Sequence, residues 1–368
     1  MKTHRINGED VAVKASKVYY TGITGIDNAG DALDNINTRL ANVEQSGGGG
    51  STSKSLKVLA IANSFCENLF QPMSGLFSNL GITNVSCYNL FRGGMTPASW
   101  YDYYNRDDAS FQVEYWAGPH ISAVDNLSGA AKTVSAALGA AEWDVVILQQ
   151  FHSSQSPTPN YSATVAYLAH LVAHIRNECP NRNVKIGMNM EWPRSLNSNK
   201  PGPKGITGFL ANIAEIKSAL EYGNIDFIIP SATAVMNAAY NSTLNTLMAS
   251  GTSYSSDKTK EEDGDASTPP DGEINQLLLS QTVSSNEPDR LHLAAGVGKY
   301  VIAGCFIESV IRPLIGKTIV DSTYTLSADA NDSGSIAVTA SNRALCHAAV
   351  MYAMANPFAR SELNAKNF

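Results

Sequence analysis

The stretch KVLAIANSF, residues 57–65, decides the fold, because its first six residues form a largely apolar run of strand length. Four more runs of this kind follow along the chain. They cover residues 85–90, 144–149, 184–190 and 226–230. Apolar runs without polar alternation are typical of parallel strands that are buried on both faces of a sheet.

Stretches with helical periodicity lie between these runs and after the last of them. They cover residues 74–80, 130–140, 163–177, 206–222, 294–311 and 342–355. Strands that alternate with helices predict an α/β fold, here a three-layer α/β/α sandwich around a mostly parallel five-stranded sheet. In such a sheet the reactive groups lie beyond the carboxyl ends of the strands.

Composition and charge exclude several classes of partner. Hydrophobic residues make up 43% of the 368 residues, and the formal net charge is −7. A negative chain without a basic run is unsuited to nucleic acid or to an anionic membrane surface. No apolar stretch reaches about 18 residues, so we expect no membrane insertion. The five cysteines are odd in number and form no C-x-x-C pair, which predicts buried free thiols.

The N-terminal part has a pattern of its own. Apolar residues spaced three and four apart form a heptad seam within a short predicted helix over residues 26–44. We interpret residues 1–46 as a stalk that joins copies of the chain into a homo-oligomer, preferably a trimer. The alternative is an amphipathic helix packed on the main domain. A Gly/Ser linker at residues 47–55 separates the stalk from a domain covering residues 56–368.

Two short segments contain side chains suited to nucleophilic catalysis. Ser64 directly follows the first strand and leads into a helix, so we expect its hydroxyl at the carboxyl edge of the sheet. Asp289 stands three residues before His292, where it can accept a hydrogen bond from one ring nitrogen and leave the other free to take a proton. Taken singly, Ser64 could equally be a helix cap, and the other two a capping carboxylate and a surface histidine.

Four blocks of sequence together resemble the SGNH/GDSL hydrolases, and they occur in the same order as in that family. They are residues 62–65, 92–94, 148–150 and 289–292. The resemblance implies a flavodoxin-like sandwich and an esterase in which Ser64 is the nucleophile, His292 the general base and Asp289 its orienting partner. It implies that neither a metal nor a cofactor is needed.

The same resemblance implies an oxyanion hole. Its donors are the backbone N–H groups of Ser64 and Gly94, with the side-chain amide of Gln150, or less favourably Gln149, as the third. Two features depart from the family pattern: Ala-Asn precedes the serine instead of Gly-Asp, and glutamine replaces the usual asparagine donor. Both features resemble a branch of the family found among carbohydrate esterases.

That branch implies an acylated oligosaccharide or polysaccharide as substrate, from which an O-acetyl group is removed. His152, after the third block, and Trp192, at the end of the fourth strand, are candidates for substrate contact. The alternatives are a loop position for His152 and a packed core position for Trp192. We interpret the acidic stretch at residues 256–273 as a solvated loop; the alternatives are a flap beside the cleft and a calcium site.

Two other functions stay open on the sequence alone. One is a glycan-binding or structural module on a fibre that has kept the fold and lost turnover, and the other is a lipid or thioester hydrolase. Residues 19–36 resemble the short helical necks of bacteriophage tail fibres. This resemblance implies a tail-associated protein that acts outside the cell without a visible signal peptide, whereas a non-viral chain would be cytoplasmic.

Overall fold

The computed structural model describes two compact units, Met1–Lys54 and Ser55–Phe368. The described residues are 4–6, 9–11, 55–127, 132–151, 161–194, 198, 202, 204–239, 241, 243–244, 278–280, 283–284, 287–289 and 291–358. In the first unit, strands β1 (His4–Ile6) and β2 (Glu9–Val11) pair antiparallel. The predicted heptad helix at residues 26–44 lies outside the described residues, as does nearly all of the predicted linker.

A six-stranded sheet forms the centre of the second unit. Its strands are β3 (Leu56–Ala62), β4 (Val85–Phe91), β5 (Gln112–Ala117), β6 (Val145–Gln149), β7 (Lys185–Asn189) and β8 (Phe227–Ile229). They lie in the order β5-β4-β3-β6-β7-β8. All neighbours are parallel except β4 and β5, which pair antiparallel. The five predicted strands are all present, so the mostly parallel α/β sheet is confirmed.

The edge strand β5 was not predicted, and the predicted count of five strands is therefore one too low. Its Val113 and Ala117 are buried, whereas Gln112 and Tyr115 are exposed. A register shift in its pairing with β4 marks a β-bulge, which interrupts the regular alternation of buried and exposed positions. The strand therefore shows neither a continuous apolar run nor strict alternation, the two patterns that predict a strand from sequence.

Helices surround the sheet. They are α1 (Ser64–Phe70), α2 (Met73–Leu80), α3 (Pro97–Asn105), α4 (Ser122–Asp125), α5 (Val134–Gly139), α6 (Tyr161–Glu178), α7 (Gly205–Tyr222), α8 (Ser231–Ala239), α9 (Val297–Phe306), α10 (Arg312–Ile315) and α11 (Arg343–Ala355). A π-helical turn, Ile307–Ile311, joins α9 to α10, and a 3-10 turn covers Ile319–Asp321. No helix within the described residues is both long and apolar enough to cross a bilayer.

Two helices begin three or more residues later than predicted, each for a local reason. α5 starts at Val134 because the Thr133 side chain caps it by accepting a hydrogen bond from the Ala136 N–H at 3.1 Å. α9 starts at Val297 because Gly296 precedes it with a φ of +87°, outside the helical region. Helix propensity and apolar spacing do not reveal these starts.

The core is continuous across the second unit, and its inner strands are buried almost throughout. Every residue of β6 is buried, and in β3 only Lys57 is partly exposed. As predicted, all five cysteines are buried and free. Two short strands, β9 (Val283–Ser284) and β10 (Glu287–Pro288), pair antiparallel just before the segment that contains Asp289.

Candidate active site

Ser64 lies where the sheet's strand β3 ends and helix α1 begins. Asn63 caps the helix, because its side-chain oxygen accepts a hydrogen bond from the Phe65 N–H at 3.0 Å. The Asn63 amide also donates to the Met95 carbonyl at 3.0 Å, which ties the helix start to the loop after β4. Ser64 itself is only half-buried, at the carboxyl edge of the sheet where it was predicted.

A line of hydrogen bonds joins Ser64, His292 and Asp289. The Ser64 Oγ lies 2.7 Å from the His292 Nε2, although 228 positions separate the two residues in sequence. The His292 Nδ1 lies 2.6 Å from the Asp289 Oδ2. Because an ionised carboxylate can only accept, Nδ1 is the donor in this pair, and in the neutral imidazole Nε2 then accepts from the serine hydroxyl.

The Asp289 carboxylate is held in its charged form. Burial raises the pKa of this carboxyl, but the His292 hydrogen bond and charge, together with the His292 and Leu291 backbone N–H groups, lower it more. The pKa therefore lies below its ordinary value of 3.8. The Leu291 N–H donates to the Asp289 Oδ1 at 3.2 Å, so both carboxylate oxygens are engaged and their orientation is fixed.

A second nucleophile beside the serine, the Cys66 thiol, is unsuited to react. Burial raises its pKa, and the Glu67 charge raises it further. The Cys66 Sγ donates to the Gln149 Oε1 at 3.3 Å. A thiol becomes nucleophilic only as a thiolate, so Cys66 is a packed core residue.

Gly94 has a backbone conformation that explains why a glycine stands there. Its φ is +70°, and a Cβ built on it would meet no atom within 4 Å. The requirement is therefore conformational, since L-residues rarely adopt a positive φ, and not a shortage of space. Gly94 is exposed and lies next to Met95, whose carbonyl is bound to Asn63.

Gln150, the favoured third oxyanion donor, has both amide hydrogens engaged elsewhere. Its Nε2 donates to the Asn212 carbonyl at 3.0 Å and to the Glu215 Oε2 at 2.7 Å. Its Oε1 accepts from the Glu191 N–H at 3.1 Å, and the residue is fully buried. In this arrangement the Gln150 side chain connects β6 to α7, and its amide has no hydrogen left for a substrate oxygen.

Gln149, the less favoured donor, points to the other face of the sheet and is engaged there. Its Nε2 donates to the Gln150 carbonyl at 2.7 Å, with a longer contact of 3.4 Å to the Asn189 carbonyl. Its Oε1 accepts from the Asn189 Nδ2 at 2.7 Å. Consecutive side chains along a strand point to opposite faces, so the sequence indicates that the two amides diverge but not which partner each one binds.

The two candidate substrate contacts have different outcomes. Trp192 is fully buried and stacks flat on Phe65, with ring centroids 4.1 Å apart and an interplanar angle of 9°. Its indole N–H donates to the Leu291 carbonyl at 3.0 Å. Trp192 is therefore packed in the core and offers no open face to a sugar ring. His152 lies outside the described residues, as does the acidic stretch 256–273.

Sequence reasoning missed two polar residues of helix α1. Asn68 bonds both to the backbone of Ser64 and to that of Leu293, at 3.0 and 2.7 Å. Burial raises the pKa of Glu67, while the charges of His292 and Lys299 lower it in part. The sequence does contain an indication of their position. Residues three and four positions after a helical residue lie on the same face of the helix, so Glu67 and Asn68 are expected beside Ser64.

Within the described residues, no group of three or more His, Cys, Asp or Glu side chains is placed to hold a metal ion. His170 and His174, four apart on α6, lie against the ring of Tyr101, with centroid distances of 5.4 and 6.0 Å. His170 is exposed and His174 is half-buried, and both pack on a neighbouring helix.

Comparison with known proteins bears on the fold. No protein-family model and no curated protein matches the chain. Among solved structures, it is similar to a DUF4886 family protein from Bacteroides uniformis, at 20% identity and a TM-score of 0.58, over 84% of this chain and 98% of that one. A weaker similarity, with a TM-score of 0.25 and 13% identity, links 49% of this chain to 56% of an acetyl xylan esterase from the rumen bacterium Butyrivibrio proteoclasticus. The first similarity shows a shared fold.

Proposed function

We propose that the chain is a serine esterase that works through an acyl-enzyme, with Ser64 as nucleophile, His292 as general base and Asp289 as the group that orients the imidazole. The proposal rests on one observation, the line of hydrogen bonds from the Ser64 Oγ through His292 to Asp289 at 2.7 and 2.6 Å. A base within hydrogen-bond reach of a hydroxyl, itself oriented by a carboxylate, is the arrangement that nucleophilic catalysis requires.

In the first half-reaction the Ser64 oxygen attacks the ester carbonyl while the His292 Nε2 takes the hydroxyl proton. The tetrahedral intermediate collapses, the carbon–oxygen bond to the alcohol breaks, and His292 gives its proton to the leaving alkoxide. In the second half-reaction water attacks the acyl-enzyme, and His292 first takes a proton from the water and then returns it to Ser64. The carboxylate of Asp289 stays ionised and stabilises the imidazolium in both steps.

Two backbone groups are the proposed donors to the oxyanion. They are the N–H of Ser64, at the start of α1, and the N–H of Gly94, in the loop that Asn63 ties to that helix start. Backbone donors held in place before the reaction need no reorganisation as negative charge develops on the carbonyl oxygen. The third donor expected at Gln150 or Gln149 would require either amide to leave its present partners.

We further propose that the ester is an O-acetyl group on an oligosaccharide or polysaccharide. This part rests on the resemblance of residues 62–65 and 148–150 to the carbohydrate-esterase branch. The proposed setting is based on the N-terminal pattern. Residues 1–46 would form a stalk that assembles into a trimer, and the linker would join it to the esterase domain. The trimer would belong to a phage tail appendage that acts outside the cell.

The direct test is hydrolysis of p-nitrophenyl acetate by the wild type and by Ser64→Ala. We expect the serine variant to lose roughly four orders of magnitude or more in kcat/KM, with an unchanged thermal melt. Ser78→Ala is a matched control, because Ser78 is an exposed serine on the neighbouring helix α2. Equal activity in the wild type and in Ser64→Ala would refute the proposal.

A second function, a glycan-binding or structural module without turnover, is favoured by one observation. Both glutamine amides of the third block are bound within the protein, which leaves the proposed hole with two donors. If neither the wild type nor Ser64→Ala hydrolyses acetyl esters, the binding module is the better interpretation.

A series of p-nitrophenyl esters with acyl chains of increasing length tests a third function, a lipid hydrolase. An acetyl-specific site rejects long acyl groups, whereas a lipid hydrolase accepts them.

A further inference from the structure

His292 lies in a segment without helix or strand, yet the peptide groups on both of its sides are bound. The Leu291 carbonyl accepts a hydrogen bond from the Trp192 indole N–H at 3.0 Å. The Leu293 N–H donates to the Asn68 Oδ1 at 2.7 Å. The two side chains that hold this segment therefore act immediately before and immediately after the imidazole.

Both of these side chains also contact the serine's helix. The Asn68 Nδ2 donates to the Ser64 carbonyl at 3.0 Å, so one carboxamide links the serine to Leu293, which lies 225 positions after Asn68. Trp192 stacks flat on Phe65, the residue after the serine, at a centroid distance of 4.1 Å. Asn68 is 5% exposed and Trp192 is fully buried, so both side chains are largely shielded from water.

We propose that Asn68 and Trp192 are positioning residues that together set the distance between the Ser64 Oγ and the His292 Nε2. We call this pair the two-point clamp. Neither residue touches the reacting atoms. The inference rests on the proposed function, because the distance matters only if the hydroxyl and the imidazole react together. A displacement of about 1 Å in such a pair can cost roughly a hundred-fold in rate.

Asn68 is the stronger half of the clamp because a carboxamide both donates and accepts. Leucine has nearly the same shape and can do neither. We expect Asn68→Leu to lower kcat for p-nitrophenyl acetate by about ten- to a hundred-fold with KM changed less than about two-fold. A role in stability alone would lower the melting temperature and leave kcat per folded molecule unchanged.

Asn79→Leu is the matched control for Asn68. Asn79 also bridges distant parts of the chain, since its Oδ1 accepts from the Thr323 N–H at 2.8 Å and its Nδ2 donates to the Thr323 Oγ1 at 2.9 Å. It lies on α2 and contacts none of the residues of the proposed triad. We expect Asn79→Leu to lower the melting temperature and to keep wild-type kcat.

Trp192→Phe tests the other half of the clamp. Phenylalanine keeps an aromatic face for Phe65 and removes the indole N–H, so we expect kcat to fall about three- to ten-fold with KM unchanged. Its matched control is Trp143→Phe. Trp143 is fully buried too, and its indole N–H donates to the Ala137 carbonyl at 2.9 Å, away from the site.

The design separates failure of the clamp from failure of the esterase proposal. If hydrolysis by the wild type does not depend on Ser64, both proposals fall. If it depends on Ser64 but Asn68→Leu and Trp192→Phe retain wild-type kcat, only the clamp is overturned.

If Asn68→Leu does not melt cooperatively, Asn68→Asp replaces it. Aspartate keeps the shape and the acceptor for the Leu293 N–H but cannot donate to the Ser64 carbonyl. The clamp then still requires kcat to fall. In a Ser64→Ala background, Asn68→Leu should cause no further loss of activity.

Discussion

The serine side and the histidine side of the site are built in different ways. Ser64 stands between a buried strand and a capped helix, so regular backbone hydrogen bonds fix its position. His292 stands in an irregular segment, held by side chains from elsewhere and by the Ser280 N–H, which donates to the His292 carbonyl at 2.7 Å. Segments with few regular backbone bonds are the less stable parts of a fold. The histidine side is therefore the half at which small changes should affect activity before stability.

On the histidine side, the largest effect should follow from Asp289→Asn, which removes the carboxylate bound to the His292 ring. An asparagine can present an N–H to the His292 Nδ1 and so favour the tautomer that cannot accept the serine proton. We expect kcat to fall by about three to four orders of magnitude, with little change in the melting temperature. Steady-state kinetics on p-nitrophenyl acetate measure this, and a loss under ten-fold would contradict the assigned role.

Gly94→Ala breaks the serine side at its proposed oxyanion donor. Alanine at a φ of +70° costs about 1 kcal/mol, and relief of this strain should move the Gly94 N–H and lower kcat by about ten- to a hundred-fold. Gly81→Ala is a matched control, because Gly81 has a φ of +66° and equally open surroundings at the end of α2. Both variants should lose similar stability in urea unfolding, and equal loss of kcat in both would argue against the donor.

Asn63→Ala tests how much the Asn63 side chain contributes to the free energy of unfolding. It removes the cap on α1 and the bond to the Met95 carbonyl, which together contribute about 2 kcal/mol to the free energy of unfolding. Thr133→Ala removes only a cap, on α5, and should cost about 1 kcal/mol. Urea unfolding of the two variants gives the difference; equal costs would mean that the bond to Met95 contributes nothing.

The smallest expected effect is a pH dependence of stability that comes from Asp289. Because the folded pKa of Asp289 lies below its ordinary value of 3.8, its carboxylate stabilises the fold above that pH, and this contribution is lost as the pH falls through the folded pKa. The difference in unfolding free energy between the wild type and Asp289→Asn should therefore shrink below about pH 4. A difference that stays constant to about pH 2 would show that the carboxylate is not coupled to folding.

Local patterns predicted the position of Ser64 and the contact between Asp289 and His292. The run at residues 57–62 indicated a buried strand, and Ser64 after it was expected at the edge of the sheet, where the structure has it. The D-x-x-H spacing indicated that Asp289 could bind the ring of His292, and the two lie 2.6 Å apart. Each of these features depends on neighbours within a few residues, which a sequence pattern can express.

The features that the sequence did not predict depend on distant partners or on direction. The Asn68 carboxamide binds a residue 225 positions away, and the Trp192 ring is covered by Phe65. The amide of Gln150 turns to α7, because the strand's alternation sends it away from its neighbour Gln149. The edge strand β5 has no continuous apolar run, because exposed and half-buried positions are interspersed along it.

The 228 positions between the serine and its histidine have a consequence for biosynthesis. A ribosome must release the chain through His292, with all six strands of the sheet, before the imidazole can approach the hydroxyl. Under the proposed mechanism a nascent chain is therefore inert while its first strands assemble, and hydrolytic turnover would report that the sheet is complete. A truncated chain ending before Asp289 would be silent however well its sheet had formed.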